Sequence, residues 1–269
     1  MHMFKGFQSS DGSVTNEPKA IVPLLKHDET GISVVGTAFY ISAWIIVTAK
    51  HCIEEEGRVA SEKGFSILHW DLEKKDHYVQ RPILGGWACP VSDIAVLVAA
   101  PMHHTEKGHP IPTQSVLISI ERPPPGSEVA TYAYPNSKVE RNGKLTTVQL
   151  EPKLVQGRLV DYFPAGRDSA MINWPVYETD MEIGPGCSGG PVFSENETAF
   201  AVNTSSFDGS EDASPISYIT PIDYILDAII SNVRISEDAP PQDLTVRDLA
   251  QLGKIEFKPP FPIRNTTPN

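Results

Sequence analysis

Between residues 184 and 193 the chain reads Gly184-Pro185-Gly186-Cys187-Ser188-Gly189-Gly190-Pro191-Val192-Phe193. Glycine and proline surround one serine, and the apolar run that follows is typical of a strand. Glycine accepts positive φ and lets a ligand approach the main chain, so the N–H groups of Gly186 and Ser188 are candidates to bind one developing oxyanion. The stretch therefore predicts a turn shaped for chemistry, with the Ser188 hydroxyl beside an anion site.

Three other interpretations fit parts of this stretch. Residues 186–190 match the G-x-S-x-G elbow of α/β-hydrolases, but that fold places its histidine after the serine and all eight histidines precede Ser188. Glycines at 184, 186 and 189 match a dinucleotide fingerprint, which requires a following helix, whereas Pro191 and a strand-like run follow here. The third interpretation is an ordinary glycine-rich turn.

Composition points to a β protein with no nucleic-acid surface. The 269 residues are enough for one large β domain or two smaller lobes. Twenty-four prolines and nineteen glycines are spread along the chain, which favours short strands and turns over long helices. A formal charge of −12 argues against binding to the phosphate backbone of DNA or RNA.

The cysteines and the apolar runs indicate a cytoplasmic location. Cys52, Cys89 and Cys187 form an odd set that cannot build a complete disulfide framework. The first residues show neither the basic nor the apolar region of a secretory signal. Every apolar run is shorter than the roughly 18 residues that a membrane helix needs, so we expect no membrane association.

Two groups of short strand patterns flank a polar connector, which favours two antiparallel barrels. The predicted organisation is an N-terminal arm at 1–17, a first β-barrel at 18–100, the connector at 101–114, a second β-barrel at 115–232 and a proline-rich tail at 233–269. Apolar residues at helical spacing predict that a helix at 221–230 closes the second barrel.

The tail contains one short helix signal. Thr245 is a good N-cap and Gly253 a good terminator for the residues between them. Two interpretations of the tail remain open at this point. It either packs on the protein's own surface or serves as the docking segment for a regulatory protein partner.

The connector also holds a cluster of possible metal ligands, which are His103, His104, Glu106 and His109. These residues lack ligand spacing on a defined helix or strand. We therefore predict no metal site and no organic cofactor.

Three blocks of sequence carry a resemblance to a known family. They are Thr48-Ala49-Lys50-His51-Cys52, Ser92-Asp93-Ile94-Ala95-Val96-Leu97 and Gly186-Cys187-Ser188-Gly189-Gly190-Pro191. In this order the chain resembles the trypsin/chymotrypsin-like serine proteases, particularly bacterial members, over residues 18–232. The resemblance implies an all-β fold of two six-stranded antiparallel barrels, with catalytic groups contributed from both sides of a cleft.

The resemblance also implies roles for individual residues. Ser188 becomes acylated, His51 acts as general base and then acid, Asp93 orients the imidazole, and the N–H groups of Gly186 and Ser188 form the oxyanion hole. The chemistry agrees, because a serine hydroxyl is a weak nucleophile until an oriented imidazole removes its proton. The expected activity is hydrolysis of a protein or peptide. The alternative is a protease-like binding or sensing module that has the triad but does not hydrolyse a substrate.

Departures from the family pattern leave two questions open. They are how the site is activated and which residue is the nucleophile. Cys187 stands where secreted relatives carry an aspartate that pairs with a new N-terminal amine, and the activation sequence Ile-Val-Gly-Gly is absent. We therefore expect a site that forms without processing, or one that a partner or the tail switches on. Cys187 itself is an alternative nucleophile, and Cys52 is expected to be a buried free thiol.

The residues that would select the substrate are assigned only from the alignment of this sequence with the family pattern. Glu182 falls at the base of the implied substrate pocket, with Thr204 and Ser205 on the facing strand. A carboxylate there favours a Lys or Arg side chain in the substrate. The alternative is that Glu182 is an exposed loop carboxylate.

Overall fold

The computed structural model describes residues 7–8, 14–15, 18–29, 31–55, 58–59, 64–73, 77–103, 108, 110–142, 145–207, 216–235 and 239–260. No helix among these residues is long and apolar enough to cross a membrane. The elements in chain order are β1 (Phe7–Gln8), β2 (Val14–Thr15), β3 (Ile21–Asp28), β4 (Gly31–Tyr40), β5 (Ile45–Thr48), β6 (Glu54–Glu55), β7 (Arg58–Val59), β8 (Phe65–Trp70), β9 (Tyr78–Ala88), β10 (Ala95–Ala99), β11 (Glu128–Ala133), β12 (Lys138–Asn142), β13 (Leu145–Gln149), β14 (Lys153–Phe163), β15 (Val176–Thr179), β16 (Pro191–Ser194), β17 (Ala199–Phe207), β18 (Ile216–Pro221), β19 (Ile229–Val233), β20 (Gln242–Thr245) and α1 (Val246–Gln251). Short 3₁₀ helices span Lys50–Cys52 and Ile222–Asp227.

Two closed barrels account for most strands. The first has the order β10-β5-β4-β3-β8-β9, and the second has the order β11-β14-β15-β18-β17-β16. All neighbouring strands in both barrels are antiparallel. The predicted pair of six-stranded antiparallel barrels is therefore confirmed. Closure leaves neither barrel with an unpaired edge strand.

The alternation of side chains along the strands builds apolar clusters inside the barrels and between them. Ile46 and Leu97 point into the first barrel, while their neighbours Val47 and Val96 point outwards into a second cluster. That outer cluster also contains Phe193 from the second barrel, so it joins the two barrels. A further cluster fills the second barrel. The apolar contact between the barrels fixes their relative position.

The helix predicted at 221–230 is wrong in its second half. The 3₁₀ helix Ile222–Asp227 buries Ile225 and Leu226, as the helical spacing predicted, but Ala228 turns to an extended conformation with φ −63° and ψ 126°. The chain then continues as β19, which pairs with β20 of the tail. The β-branched side chains at 229 and 230 favour this strand once the tail supplies a partner.

The short helix predicted in the tail is confirmed. Thr245 caps α1 by accepting a hydrogen bond from the Asp248 N–H, and the Asp248 carboxylate accepts one from the Thr245 N–H, which completes a capping box. Gly253 follows the helix with a φ of +68°, a conformation that glycine adopts without strain.

The described part of the tail is built into the body of the protein. Leu249 is 1% exposed and belongs to the cluster that joins the barrels. Farther along, Phe257 forms a β-bridge with Ile118, and the Lys258 N–H donates to the Ile118 carbonyl at 2.7 Å. The regulatory partner considered above stays a prediction.

We expect the tail to contribute to the stability of the whole fold. Leu249→Ala should lower the free energy of unfolding by about 2–5 kcal/mol, because it leaves a cavity in a shared core. Leu252→Ala, at a position that is 45% exposed, should change it by less than about 1 kcal/mol. Urea unfolding of both variants measures the difference. Equal effects would show that the tail does not belong to the core.

Candidate active site

Strand pairing brings His51 and Asp93 together. β5 and β10 are antiparallel neighbours with Ala95 opposite Thr48, so the residues that follow β5 lie beside those that precede β10. A 3₁₀ turn after β5 presents His51, and the main-chain N–H of Lys50 donates to the Asp93 carbonyl at 3.3 Å. The two side chains therefore meet because of the register of one strand pair.

The imidazole and the carboxylate form a direct pair. His51 Nδ1 lies 2.7 Å from Asp93 Oδ2, and the His51 main-chain N–H donates to Asp93 Oδ1 at 2.9 Å. Asp93 is buried, whereas 48% of the His51 side chain is exposed. A proton on Nδ1 donates to the carboxylate, which leaves Nε2 as a proton acceptor on the exposed side.

The surroundings favour the protonated imidazole. Burial lowers the pKa of His51, but the hydrogen bond to Asp93 and the neighbouring Cys52 outweigh it, so the pKa lies above the ordinary value of 6.5. A base that takes a proton during a reaction is helped by this effect, because the imidazolium that forms is stabilised.

Two consecutive tight turns carry Ser188. The Cys187 N–H donates to the Gly184 carbonyl at 3.2 Å, and the Gly190 N–H donates to the Cys187 carbonyl at 3.0 Å. The third residue of each turn, Gly186 and then Gly189, has a φ of +88° and +84°. Positive φ at this position is the mark of a type II turn and selects glycine, and Pro185 precedes the first of these glycines as that turn prefers.

The serine turn, although it belongs to the second barrel, is attached to the first. The Thr37 N–H donates to the Ser188 carbonyl at 2.8 Å, and Thr37 Oγ1 donates to the Gly186 carbonyl at 2.8 Å. A Cβ placed on Gly189 would overlap the Thr37 carbonyl and Thr48 Oγ1. Ser188 thus stands beside β4 and β5, the strand pair that leads to His51.

Two main-chain donors of the serine turn have no acceptor within the described residues. They are the N–H groups of Gly186 and Ser188, whereas those of Cys187, Gly189 and Gly190 all donate to carbonyls of the protein. Unpaired main-chain donors are uncommon in folded proteins unless water or a ligand accepts from them. These are the two groups that the sequence predicted for an oxyanion hole, and that role stays a prediction.

The hydroxyl of Ser188 is not engaged by His51. In the part of the chain that the structure describes, no hydrogen bond joins Ser188 Oγ to the imidazole. The His51–Asp93 pair and the attachment of the Ser188 main chain are thus formed without a hydrogen bond between Ser188 Oγ and His51 among the described residues. Catalytic hydrogen bonds are often long in free enzymes and tighten when substrate binds.

The residues predicted for specificity occupy different environments. Glu182 is exposed between the buried side chains of Met181 and Ile183, which agrees with the alternative of a loop carboxylate. Thr204 is buried, and its hydroxyl pairs with that of Thr220 at 2.6 Å. Ser205 is half-buried on the same strand. A preference for basic side chains stays a prediction.

The three cysteines are free and buried, so the expectation for Cys52 is confirmed. Burial raises the pKa of the Cys187 thiol above its ordinary value. A raised pKa reduces the fraction of thiolate, the form that attacks carbonyls, so the surroundings of Cys187 do not favour it as a nucleophile.

The connector contributes no metal cluster that can be described. His103 is exposed and forms a β-bridge with Pro110, while His104, Glu106 and His109 lie outside the described residues. Within the described ranges, no three His, Cys, Asp or Glu side chains lie close enough to hold a metal ion.

Gly189 should be irreplaceable for a steric reason. Gly189→Ala should lower the free energy of unfolding by at least about 2 kcal/mol, because it adds strain at positive φ and an overlap with Thr37 and Thr48. Gly184→Ala is the matched control, since a Cβ there meets nothing within 4 Å. Thermal unfolding of both variants should separate them clearly; if they melt together, the turn is not tightly held against the first barrel.

Comparisons with known proteins agree with this geometry. The active form of the Rv3671c protease from M. tuberculosis is 15% identical with a TM-score of 0.53, and the match covers 77% of this chain and 78% of that chain. Its inactive form is 16% identical with a TM-score of 0.51, covering 77% and 85%. At these identities the likeness shows the fold alone.

The family itself is shown by sequence. A search of curated proteins found no match. The sequence model of the family described as Trypsin, however, matches residues 14–229, which is most of the chain. That membership supports a hydrolase of the serine protease type. The chain belongs to the trypsin family.

Proposed function

We propose that the chain is a serine endopeptidase that hydrolyses peptide bonds in a protein substrate through an acyl-enzyme intermediate. The observation that carries this proposal is the pair formed by His51 and Asp93, in which both carboxylate oxygens hold the histidine. Attachment of the Ser188 main chain to the strand pair that ends at His51 supports it. The reaction needs no metal or organic cofactor.

In the proposed reaction, Ser188 Oγ attacks the carbonyl carbon of the scissile bond and gives its proton to Nε2 of His51. The carbonyl oxygen becomes an oxyanion, which accepts hydrogen bonds from the N–H groups of Gly186 and Ser188. The C–N bond then breaks as the imidazolium returns the proton to the leaving amine. Water, deprotonated by His51, attacks the acyl group and releases the acid and the serine.

Ser188→Ala should abolish turnover of a peptide nitrophenyl ester and covalent labelling by a fluorophosphonate, because both require the hydroxyl. The fold should be retained. Cys187→Ala, at the adjacent position, is the matched control and should still be labelled. Labelling that persists in Ser188→Ala and disappears in Cys187→Ala would assign the nucleophile to the thiol.

Asp93→Asn should change the pH dependence as well as the rate. His51 must be neutral to accept a proton, so kcat/KM should fall as the pH drops through the pKa of His51, which lies above 6.5. Loss of the carboxylate should reduce kcat by about 10⁴-fold and move the acid limb of the residual activity to lower pH. Measuring kcat/KM against pH for the wild type and for Asp93→Asn tests this. If the acid limb of the profile does not move, Asp93 does not set the pKa of His51.

A second candidate function is a protease-like binding or sensing module. The missing hydrogen bond between Ser188 Oγ and His51 among the described residues is compatible with it, although free enzymes also lack such bonds. Fluorophosphonate labelling of Ser188 in the protein alone would support an active enzyme. Labelling that appears only after a partner protein is added would support the regulated form of the enzyme.

A further inference from the structure

Asn203 is fully buried in β17, and its main chain and its side-chain amide nitrogen are hydrogen-bonded to the serine turn. Its carbonyl accepts from the Gly189 N–H at 2.9 Å, and its N–H donates to the Gly190 carbonyl at 2.9 Å. Its side-chain Nδ2 donates to the Cys187 carbonyl at 3.2 Å and to Thr131 Oγ1 at 2.7 Å. One residue of a neighbouring strand therefore contacts three residues that flank Ser188, which are Cys187, Gly189 and Gly190.

The orientation of this amide follows from its partners. Thr131 Oγ1 donates its proton to the Pro191 carbonyl at 2.8 Å, so it can only accept from Asn203. The Cys187 carbonyl can also only accept, which places Nδ2, and not Oδ1, against both. Asn203 Oδ1 is then buried without a partner among the described residues. A buried carbonyl of this kind is destabilising, and an apolar side chain of similar shape would avoid it.

The geometry of one peptide unit connects this amide to the anion site. In a planar trans peptide, the C=O of one residue and the N–H of the next point in opposite directions. The Cys187 carbonyl is held inwards by Asn203 Nδ2 and by the Gly190 N–H. The N–H of Ser188 belongs to the same peptide unit and so points away from β17, where it has no acceptor among the described residues.

We propose that Asn203 is a positioning residue for the oxyanion hole: its side-chain amide fixes the Cys187–Ser188 peptide so that the Ser188 N–H faces the reacting carbonyl. The inference rests on the proposed function and deepens it. It also explains why an unpaired buried oxygen is tolerated here, since the donor on the same amide serves the reaction at the expense of stability.

Asn203→Leu tests the proposal because it keeps the number and branching of the side-chain heavy atoms and removes both polar atoms. We expect the melting temperature to hold or rise, while kcat on a peptide nitrophenyl ester falls about 10- to 100-fold with KM unchanged. That loss is smaller than the roughly 10²- to 10³-fold effect of deleting an oxyanion donor, since the Ser188 N–H remains but is less well oriented. A peptide aldehyde, which forms an oxyanion adduct, should bind more weakly by a similar factor, and the matching peptide alcohol should not.

Thr131→Val is the matched control, since it removes the other partner of Nδ2 and leaves the bond to Cys187 in place. We expect it to lower stability and to change kcat by less than about twofold. Parallel losses of stability and kcat in Asn203→Leu, unchanged kcat, or an equal loss of kcat in Thr131→Val would each overturn the proposal. Asn203→Ala repeats the measurement if the leucine variant does not fold.

A structural measurement separates this inference from the proposed function. Crystal structures of the wild type and of Asn203→Leu should show the Cys187 carbonyl turned away from residue 203 in the variant. If the wild type neither turns over substrate nor reacts with a fluorophosphonate, the proposed function fails, and the position of that carbonyl still decides the inference. A carbonyl that stays in place would overturn it.

Discussion

The hydrogen bonds of Thr37 hold the two barrels in the relation that the site requires. Thr37 is fully buried, its N–H donates to the Ser188 carbonyl, and its hydroxyl donates to the Gly186 carbonyl. The same hydroxyl accepts from the Tyr134 N–H, and the Thr37 carbonyl accepts from the Thr48 hydroxyl. Breaking one such bond leaves a buried group unpaired at about 1–3 kcal/mol. The position of the serine turn is therefore set by a residue of the opposite barrel.

The site therefore has two parts. One part lies within the first barrel, and the other belongs to the second barrel. His51 and Asp93 lie at the ends of two neighbouring strands and depend only on the register of the first barrel. Ser188 lies on the other side of the interface, where apolar side chains such as Phe39 and Phe193 share one cluster. Changes in that cluster would alter the separation of Ser188 and His51 without touching either residue.

Sequence patterns predicted the barrels because strands leave local signals, whereas the pairing of His51 with Asp93 was implied by the family resemblance and depends on the register of β5 and β10. Alternating β-branched residues indicate strands, and a carboxylate at the head of an apolar strand marks where it begins. The same reasoning failed at 229–230, where apolar spacing fits a helix and a strand equally well, and the tail supplied the deciding partner. The bonds of Asn203 were not predictable, because its contact with Cys187 depends on the pairing of β16 with β17, which a bulge shifts.

The bridge between Phe257 and Ile118 has a consequence for how the protein is made. Residues that follow both barrels in sequence complete a cluster whose other members come from both barrels. During translation the first barrel can collapse as it emerges from the ribosome, but the shared core stays open towards water until residues 249–257 have emerged as well. The packing between the barrels is thus completed only after both barrels have been synthesised.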